Sequence, residues 1–337
     1  MITHSAPVLY STCPPYRGGD ANAYAQQVRD VARWSEEGGC EGTLVYTDNG
    51  LLDPWLMAQL VIQATADLVP LVAVQPIYMH PYTVAKMVST LSLLHRRRID
   101  LNIVAGGFKN DLLALDDRTP HDRRYARLTE YTAIIRALLE GGSVTFKGEF
   151  YSVTNLSLVP ALDPAFMPRI LLSGSSAEGL AAARTLGALP VRYPEPASQL
   201  DQGPTEPAGF GIRVGIISRQ EEHEAWTIAR ERFPEDRRGQ VTHQLAMKVS
   251  DSAWHRQLSA IAPALKPESA YWMVPFQNYK TFCPYLVGSY AQVGEEIARY
   301  LLGGCRTIIL DVPPSGDEMR HIRTTLAASA ENVLQNR

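Results

Sequence analysis

Eight short β-branched or apolar runs alternate with amphipathic stretches along this chain, and that alternation most narrowly limits what it can fold into. The first run, Val8 to Thr12, is followed by Tyr24, Val28, Val31 and Ala32 at i, i+4, i+7 and i+8, which predicts a strand and then a helix ending at Gly38-Gly39. The unit recurs as 43–46 with 54–67, 71–75 with 81–98, and 101–104 with 123–139, where Leu128, Tyr131, Ile135 and Leu138 mark one helix face. It continues as 170–173 with 178–186, a run near 189–193, 211–218 with 221–233, and 307–311 with a last helix over about 318–334. Before the final strand, Val293, Ile297, Tyr300 and Leu301 mark one more helix. Right-handed βα crossovers repeated in this way most simply give a (β/α)8 TIM barrel of α/β class.

The competing architecture is a doubly wound open sheet, which needs a glycine-rich turn after its first strand. Cys13-Pro14-Pro15 stands there instead, and no G-x-G-x-x-G occurs anywhere, which disfavours a nicotinamide dehydrogenase of that type. At 337 residues the chain exceeds a barrel of roughly 250. The surplus falls in about 106–168, with a hairpin-like pattern over 144–153, and about 234–285. A single domain over 1–337 with insertions at the C-terminal face of the barrel is expected. The second insertion carries Met247, Trp254, Tyr271, Trp272, Met273 and Phe276, which suit a lid over an apolar substrate or, equally, a satellite core or dimer contact.

Charge narrows the function. With 32 Lys+Arg against 35 Asp+Glu, the net charge of −3 leaves no basic surplus for nucleic acid, and Arg96-Arg97-Arg98 reads as a solvated helix end complementing the dipole. No run approaches the roughly 20 apolar residues of a spanning helix, and the start lacks a basic segment before an apolar one, so a cytoplasmic protein without membrane contact is expected. Cys13, Cys40, Cys283 and Cys305 are scattered and read as reduced thiols. Neither a metal-ligating histidine pattern nor a G-x-S-x-G elbow is present, so no metal is expected.

In a barrel the strand ends carry the chemistry. They supply Asn49, Gln75, Tyr78 and His80, then 102–107, 173–176 and Arg213. Ser173-Gly174-Ser175-Ser176 runs from an apolar strand straight into a helix, a backbone and hydroxyl cradle suited to a phosphate. It is also readable as a capping box of Ser175 with Glu178, the commoner feature. His121 to Tyr125 opens another helix, where the dipole favours an anion; the alternative is a solvated start capped by Thr119 or Asp122.

Taken in order, 101–107, His121-Asp-Arg-Arg-Tyr125, the spacer from Leu138 to Phe150, and 173–176 resemble the bacterial luciferase-like flavin-dependent monooxygenases, in their alkanesulfonate monooxygenase branch. Asp53-Pro-Trp-Leu56, Phe210-Gly-Ile-Arg213, Glu224-Ala-Trp226 and Leu286-Val-Gly288 extend the resemblance over nearly the whole chain. It implies a barrel that takes reduced FMN from a separate reductase and activates O2 as a C4a-(hydro)peroxyflavin. It further implies Ser173, Gly174, Ser175 and Ser176 with Tyr125 at the FMN phosphate, and Asn102, Ala105 and Gly106 along the isoalloxazine. Arg213 is then expected to stabilise the peroxide or hold a substrate anion, with Asn49, His80 and Lys280 as further catalytic-pocket residues. A homodimer or homotetramer is expected by resemblance.

The substrate pocket departs from that branch. Gly215, Leu51, Tyr193 and Pro313 stand where the sulfonate enzymes place histidine, cysteine, tryptophan and tyrosine, and Lys280 lies beside the place of an arginine. A small or carrier-bound organic substrate other than a simple alkanesulfonate is therefore expected. A non-catalytic flavin-binding barrel and an F420-dependent oxidoreductase are the alternatives.

Overall fold

The computed structural model describes residues 6–199, 209–249, 258, 259, 261 and 269–335. Its strands are β1 (Val8–Thr12), β2 (Gly42–Val45), β3 (Val69–Val74), β4 (Asp100–Val104), β5 (Ser143–Lys147), β6 (Ser152–Ser157), β7 (Ile170–Ser173), β8 (Leu189–Arg192), β9 (Phe210–Arg219), β10 (Tyr271–Trp272), β11 (Tyr285–Ser289) and β12 (Cys305–Leu310). The main sheet runs β10-β11-β9-β12-β1-β2-β3-β4-β7-β8, and β9 pairs again with β8. All eight expected strands are present, in the parallel order of a (β/α)8 barrel. Two strands escaped the sequence reading. β11 lies parallel to the second half of β9, and the two-residue β10 pairs antiparallel with β11. Such short runs beside an insertion leave no period to read.

Backbone contacts divide the chain into two compact units. One comprises β1, residues 34–41 and the chain from Val191; the other comprises residues 13–33 and 42–190. In the second unit the helices are most of α1 (Ala21–Glu37), α2 (Pro54–Ala64), α3 (Pro81–His95), α4 (Lys109–Ala114), α5 (His121–Glu140) and α6 (Ala177–Leu186). The α5 face marked in the sequence is fully buried at Leu128, Tyr131, Ile135 and Leu138, against Val88, Leu101 and Leu172 among others. Each of the aliphatic side chains among them contributes about 1.5–3 kcal/mol through burial.

Local chemistry sets the helix ends. Asp53 accepts from the backbone N–H groups of Trp55 and Leu56 at 3.0 Å each, with Pro54 opening α2. α3 stops at His95 because Arg96 turns left-handed at φ 51°. Arg97 is therefore not on a solvated face, as the sequence suggested. It folds back, is buried, and donates to the carbonyls of Thr65 (3.1 Å) and Leu68 (3.0 Å) beyond α2. Thr65 is the C-cap of α2, where the last carbonyls lack intrahelical donors, and the guanidinium supplies one there while also serving the connection into β3. Arg98 pairs with buried Asp100 at 2.9 Å. The expected hairpin is β5–β6, and Glu130 of α5 holds its turn by accepting from the N–H groups of Glu149, Phe150 and Tyr151 at 2.8, 2.8 and 3.1 Å.

In the other unit, the helix Tyr290–Leu302 begins with a capping box between Ser289 and Gln292 and buries the expected Val293, Ile297 and Tyr300. Trp272 packs with Trp226 and Phe233 around Ile217, Tyr285 and Val287, the satellite-core arrangement; the Met247 side chain and Trp254 lie outside the described residues. No described helix is long and apolar enough to cross a membrane.

Glu318, in the helix Gly316–Gln335, is buried between Arg219 and Arg232, the latter at 2.9 Å. Burial alone would raise its carboxyl pKa, but the two guanidiniums outweigh burial and hold it below the ordinary 4.5. A depressed folded-state value means stability is present above pH 4.5 and lost as the pH falls through the folded value. Glu318→Gln is expected to lower stability at pH 7 by on the order of 3 kcal/mol. It should also flatten the decline of melting temperature below pH 4.5; calorimetry at pH 3–7 checks both.

Candidate functional site

Within the second unit, the end of β7 and the start of α6 build an anion-ready turn. Ser173 donates its hydroxyl to Oδ1 of Asn102 at 2.8 Å, tying β7 to the neighbouring β4. The cap of α6 is Ser176, which accepts from Gly179 N–H at 3.1 Å, and not Ser175 as the capping-box reading required. The helix begins one residue later than that reading needs. As a result the Ser175 hydroxyl oxygen is buried and has no hydrogen-bond partner among the described residues. A buried hydroxyl left unmatched costs roughly 1–3 kcal/mol, and an anion at the helix start removes that cost.

Tyr125, the fifth residue of α5, bonds through its hydroxyl to Ser176. Burial raises its phenol pKa more than Ser176 and Arg124 lower it, so it remains a proton donor at neutral pH. A methyl group on Gly174 would lie 2.8 Å from that hydroxyl, and one on Gly179 3.2 Å from the ring. With the phenol lying along the turn, a side chain at 174 would force it to shift, and one at 179 would press on it tightly. α5 itself has no side-chain cap: Thr119 donates to Asp117 at 2.6 Å, Asp122 meets His121 at 3.0 Å, and Pro120 holds the cap position. The expected Thr119 or Asp122 cap is therefore not formed, and the first-turn N–H groups of α5 keep their donor capacity.

The end of β4 is braced from the same helix. Arg124, fully buried, donates to the Gly106 carbonyl at 2.6 Å. Gly106 has φ +91°, and a methyl group there would approach Leu112 and Gln75 to 3.0 and 3.1 Å. Asn102 and Ala105 are buried beside it. This gives a rigid, small-residue wall next to the turn of β7.

Two other expected residues take positioning work. Asn49 donates to the Asp111 carbonyl at 3.0 Å and accepts from the Tyr78 hydroxyl at 2.8 Å, clasping the loops after β2, β3 and β4. His80 caps α3, its Nδ1 accepting from Tyr82 N–H at 3.2 Å. His121, Asp122 and Glu178 bring donor atoms within 4.8 Å of one another, a grouping hidden in the sequence because Glu178 belongs to another helix.

The remaining candidates lie in the first unit. Arg213 on β9 is buried; its Nη1 donates to the Tyr193 hydroxyl at 3.3 Å, and its Nη2 lies 3.7 Å from Asp311. Tyr285 donates to the other oxygen of Asp311 at 2.7 Å. Lys280 pairs with Asp236 at 2.6 Å. The sequence reading missed Asp311 and Tyr285. Asp311 follows the last residue of β12, a strand-end position that marks it as a candidate on the barrel rule alone.

Gly174→Ala is expected to cost about 1–3 kcal/mol by overpacking against the Tyr125 oxygen. Combining it with Tyr125→Phe, which removes that oxygen, should recover part of the loss. Urea denaturation of the single and double variants measures the coupling, and strictly additive costs would contradict it.

A sequence profile of the luciferase-like monooxygenases matches residues 8–307. The 4-(gamma-L-glutamylamino)butanoyl-[BtrI acyl-carrier protein] monooxygenase of Niallia circulans is 35% identical over 300 residues, spanning 86% of this chain and 87% of that protein. EDTA monooxygenase from Chelativorans sp. BNC1 superposes with TM-score 0.71 at 14% identity, covering 98% of this chain and 94% of its own. An F420-dependent secondary alcohol dehydrogenase superposes with TM-score 0.68 at 15% identity, covering 96% and 99%. These two structures carry the fold alone. The profile and the Niallia relative carry more: the chain belongs to the luciferase-like monooxygenase family, a family of oxygenating enzymes.

Proposed function

We propose that this protein is a two-component monooxygenase that takes reduced FMN from a separate reductase and oxygenates a carrier-bound or small polar organic substrate with O2. The observation that carries the reading is the buried, unmatched Ser175 hydroxyl at the start of α6. Around it stand the Tyr125 phenol, a donor at neutral pH, and the uncapped first turn of α5. This donor set fits a phosphate dianion: hydroxyls and helix N–H groups, with no acceptor demanded in return. Of the carboxylates there, Asp122 is paired with His121, and Glu178 acts on Tyr125 by adding to burial in raising its phenol pKa, which keeps the hydroxyl protonated.

When bound, a reduced flavin supplies the electrons for oxygen activation. The chain's own residues do the rest. Ser175, Ser176 and Tyr125 would hold the phosphate end. Asn102, Ala105 and Gly106 would line the ring system, their small side chains and the Arg124 brace fixing its plane and keeping water from it. Arg213 would hold the polar end of the substrate, since its guanidinium stays charged and offers paired donors. The carrier-bound class is supported by the Niallia relative, whose name gives a 4-(gamma-L-glutamylamino)butanoyl group on an acyl-carrier protein as its substrate. A cytoplasmic homodimer or homotetramer accords with this reading.

The test is an anaerobic titration with reduced FMN and with reduced F420, followed by exposure to O2 with an acyl-carrier substrate. Reduced FMN is expected to bind at micromolar concentration or tighter and F420 more weakly. Ser175→Ala should weaken FMN about tenfold or more, the worth of a hydrogen bond to a charged group. Binding of F420 alone, or FMN binding untouched by Ser175→Ala, would contradict the assignment.

A further inference from the structure

β9 carries Arg213 and, two residues on, Gly215, so both positions face one side of the strand. Gly215 is the register partner of Tyr285 on β11. A methyl group at position 215 would lie 2.3–2.5 Å from three atoms of the Tyr285 ring. That space belongs to Tyr285, and any side chain at 215 would expel it. The ring is also held edge-on by Phe233 at 5.0 Å. So fixed, its hydroxyl donates to Asp311 at 2.7 Å. Burial, and then the charge of Asp311, raise the phenol pKa well above the ordinary value, so Tyr285 remains the donor.

Asp311 has a second neighbour. Its other oxygen lies 3.7 Å from Arg213, beyond hydrogen-bond length but close enough for strong Coulombic coupling. The Asp311 side chain is 12% exposed and that of Arg213 5%, so the pair is largely withdrawn from solvent and its charges are weakly screened. Among the described residues the carboxylate that faces Arg213 is Asp311, while a second guanidinium, Arg232, acts on the Tyr285 phenol. A lone arginine recruits a free anion; an arginine shielded by a fixed carboxylate does not.

We propose that Asp311, oriented by Tyr285 over the side-chain-free Gly215, is a specificity-determining residue that cancels the Arg213 charge, so the site admits a neutral or internally balanced polar group such as an amide and rejects a free organic monoanion such as an alkanesulfonate. This rests on the reading of Arg213 as the substrate-side group. It is independent of the flavin.

The experiment uses the full chain without flavin and two probes, pentanesulfonate and pentanamide, titrated by calorimetry. The native protein is expected to bind the sulfonate no more tightly than the amide; a sulfonate bound tenfold more tightly overturns the proposal. Asp311→Asn keeps an acceptor for Tyr285 but removes the charge, and should raise sulfonate affinity at least about tenfold while moving the amide less than twofold. Tyr285→Phe keeps the charge and should give no such gain. Adding Arg213→Gln to Asp311→Asn should abolish the gain. An unchanged sulfonate affinity in Asp311→Asn, an equal gain in Tyr285→Phe, or a gain that survives loss of Arg213 overturns it, and the native comparison decides should Asp311→Asn fail to fold. Because no cofactor is present, failure here leaves the FMN assignment standing, and failure to bind FMN leaves these titrations interpretable.

Discussion

The start of a helix exposes backbone donors that something must accept, and the structure around β7 is arranged by that demand. Where α6 starts decides which serine satisfies it. Because Ser176 and not Ser175 accepts the Gly179 N–H, one hydroxyl is spent on the helix and its neighbour is left buried with nothing to bond. The two glycines at 174 and 179 admit the Tyr125 phenol along the same turn. Tyr125 in turn fixes the start of α5, where the residue just before it, Arg124, braces Gly106 at the end of β4. A change at any of these positions is felt at the others, because each contact fills the space the previous one leaves.

The second unit thus spends its polar groups on holding loops still, and even residues with catalytic chemistry serve that purpose. Asn49 and His80 illustrate it: one clasps three loops and the other caps α3. In the first unit the polar groups act on charge instead. Arg213, Asp311, Tyr285 and Tyr193 form a chain in which each hydroxyl or carboxylate fixes the next, and Gly215 provides the room. The absence of a side chain at 215 is as specific a feature as the arginine two residues earlier.

Much of this was legible in the sequence because period and punctuation carry it. The eight barrel strands and the buried faces of α5 and the helix Tyr290–Leu302 follow from apolar spacing, and Ser173 to Ser176 from an apolar run meeting small polar residues. What escaped was of another kind. Arg97 looked solvated because its partners, the carbonyls of Thr65 and Leu68, come from a different helix end about 30 positions earlier. The capping role fell to Ser176 because a one-residue shift of a helix start has no signature in the order of residues. Tyr285 and Gly215 are joined by strand register, and register across an insertion cannot be counted along the chain.

The proposed function stands on the grip of the 173–176 turn and Tyr125 on a phosphate. Comparing the affinity of the native protein for reduced FMN with that for reduced riboflavin, which lacks only the phosphate, tests it most directly. FMN is expected to bind on the order of a hundredfold more tightly, the equivalent of about 3 kcal/mol from charge-assisted hydrogen bonds. Equal affinities for the two flavins would contradict it.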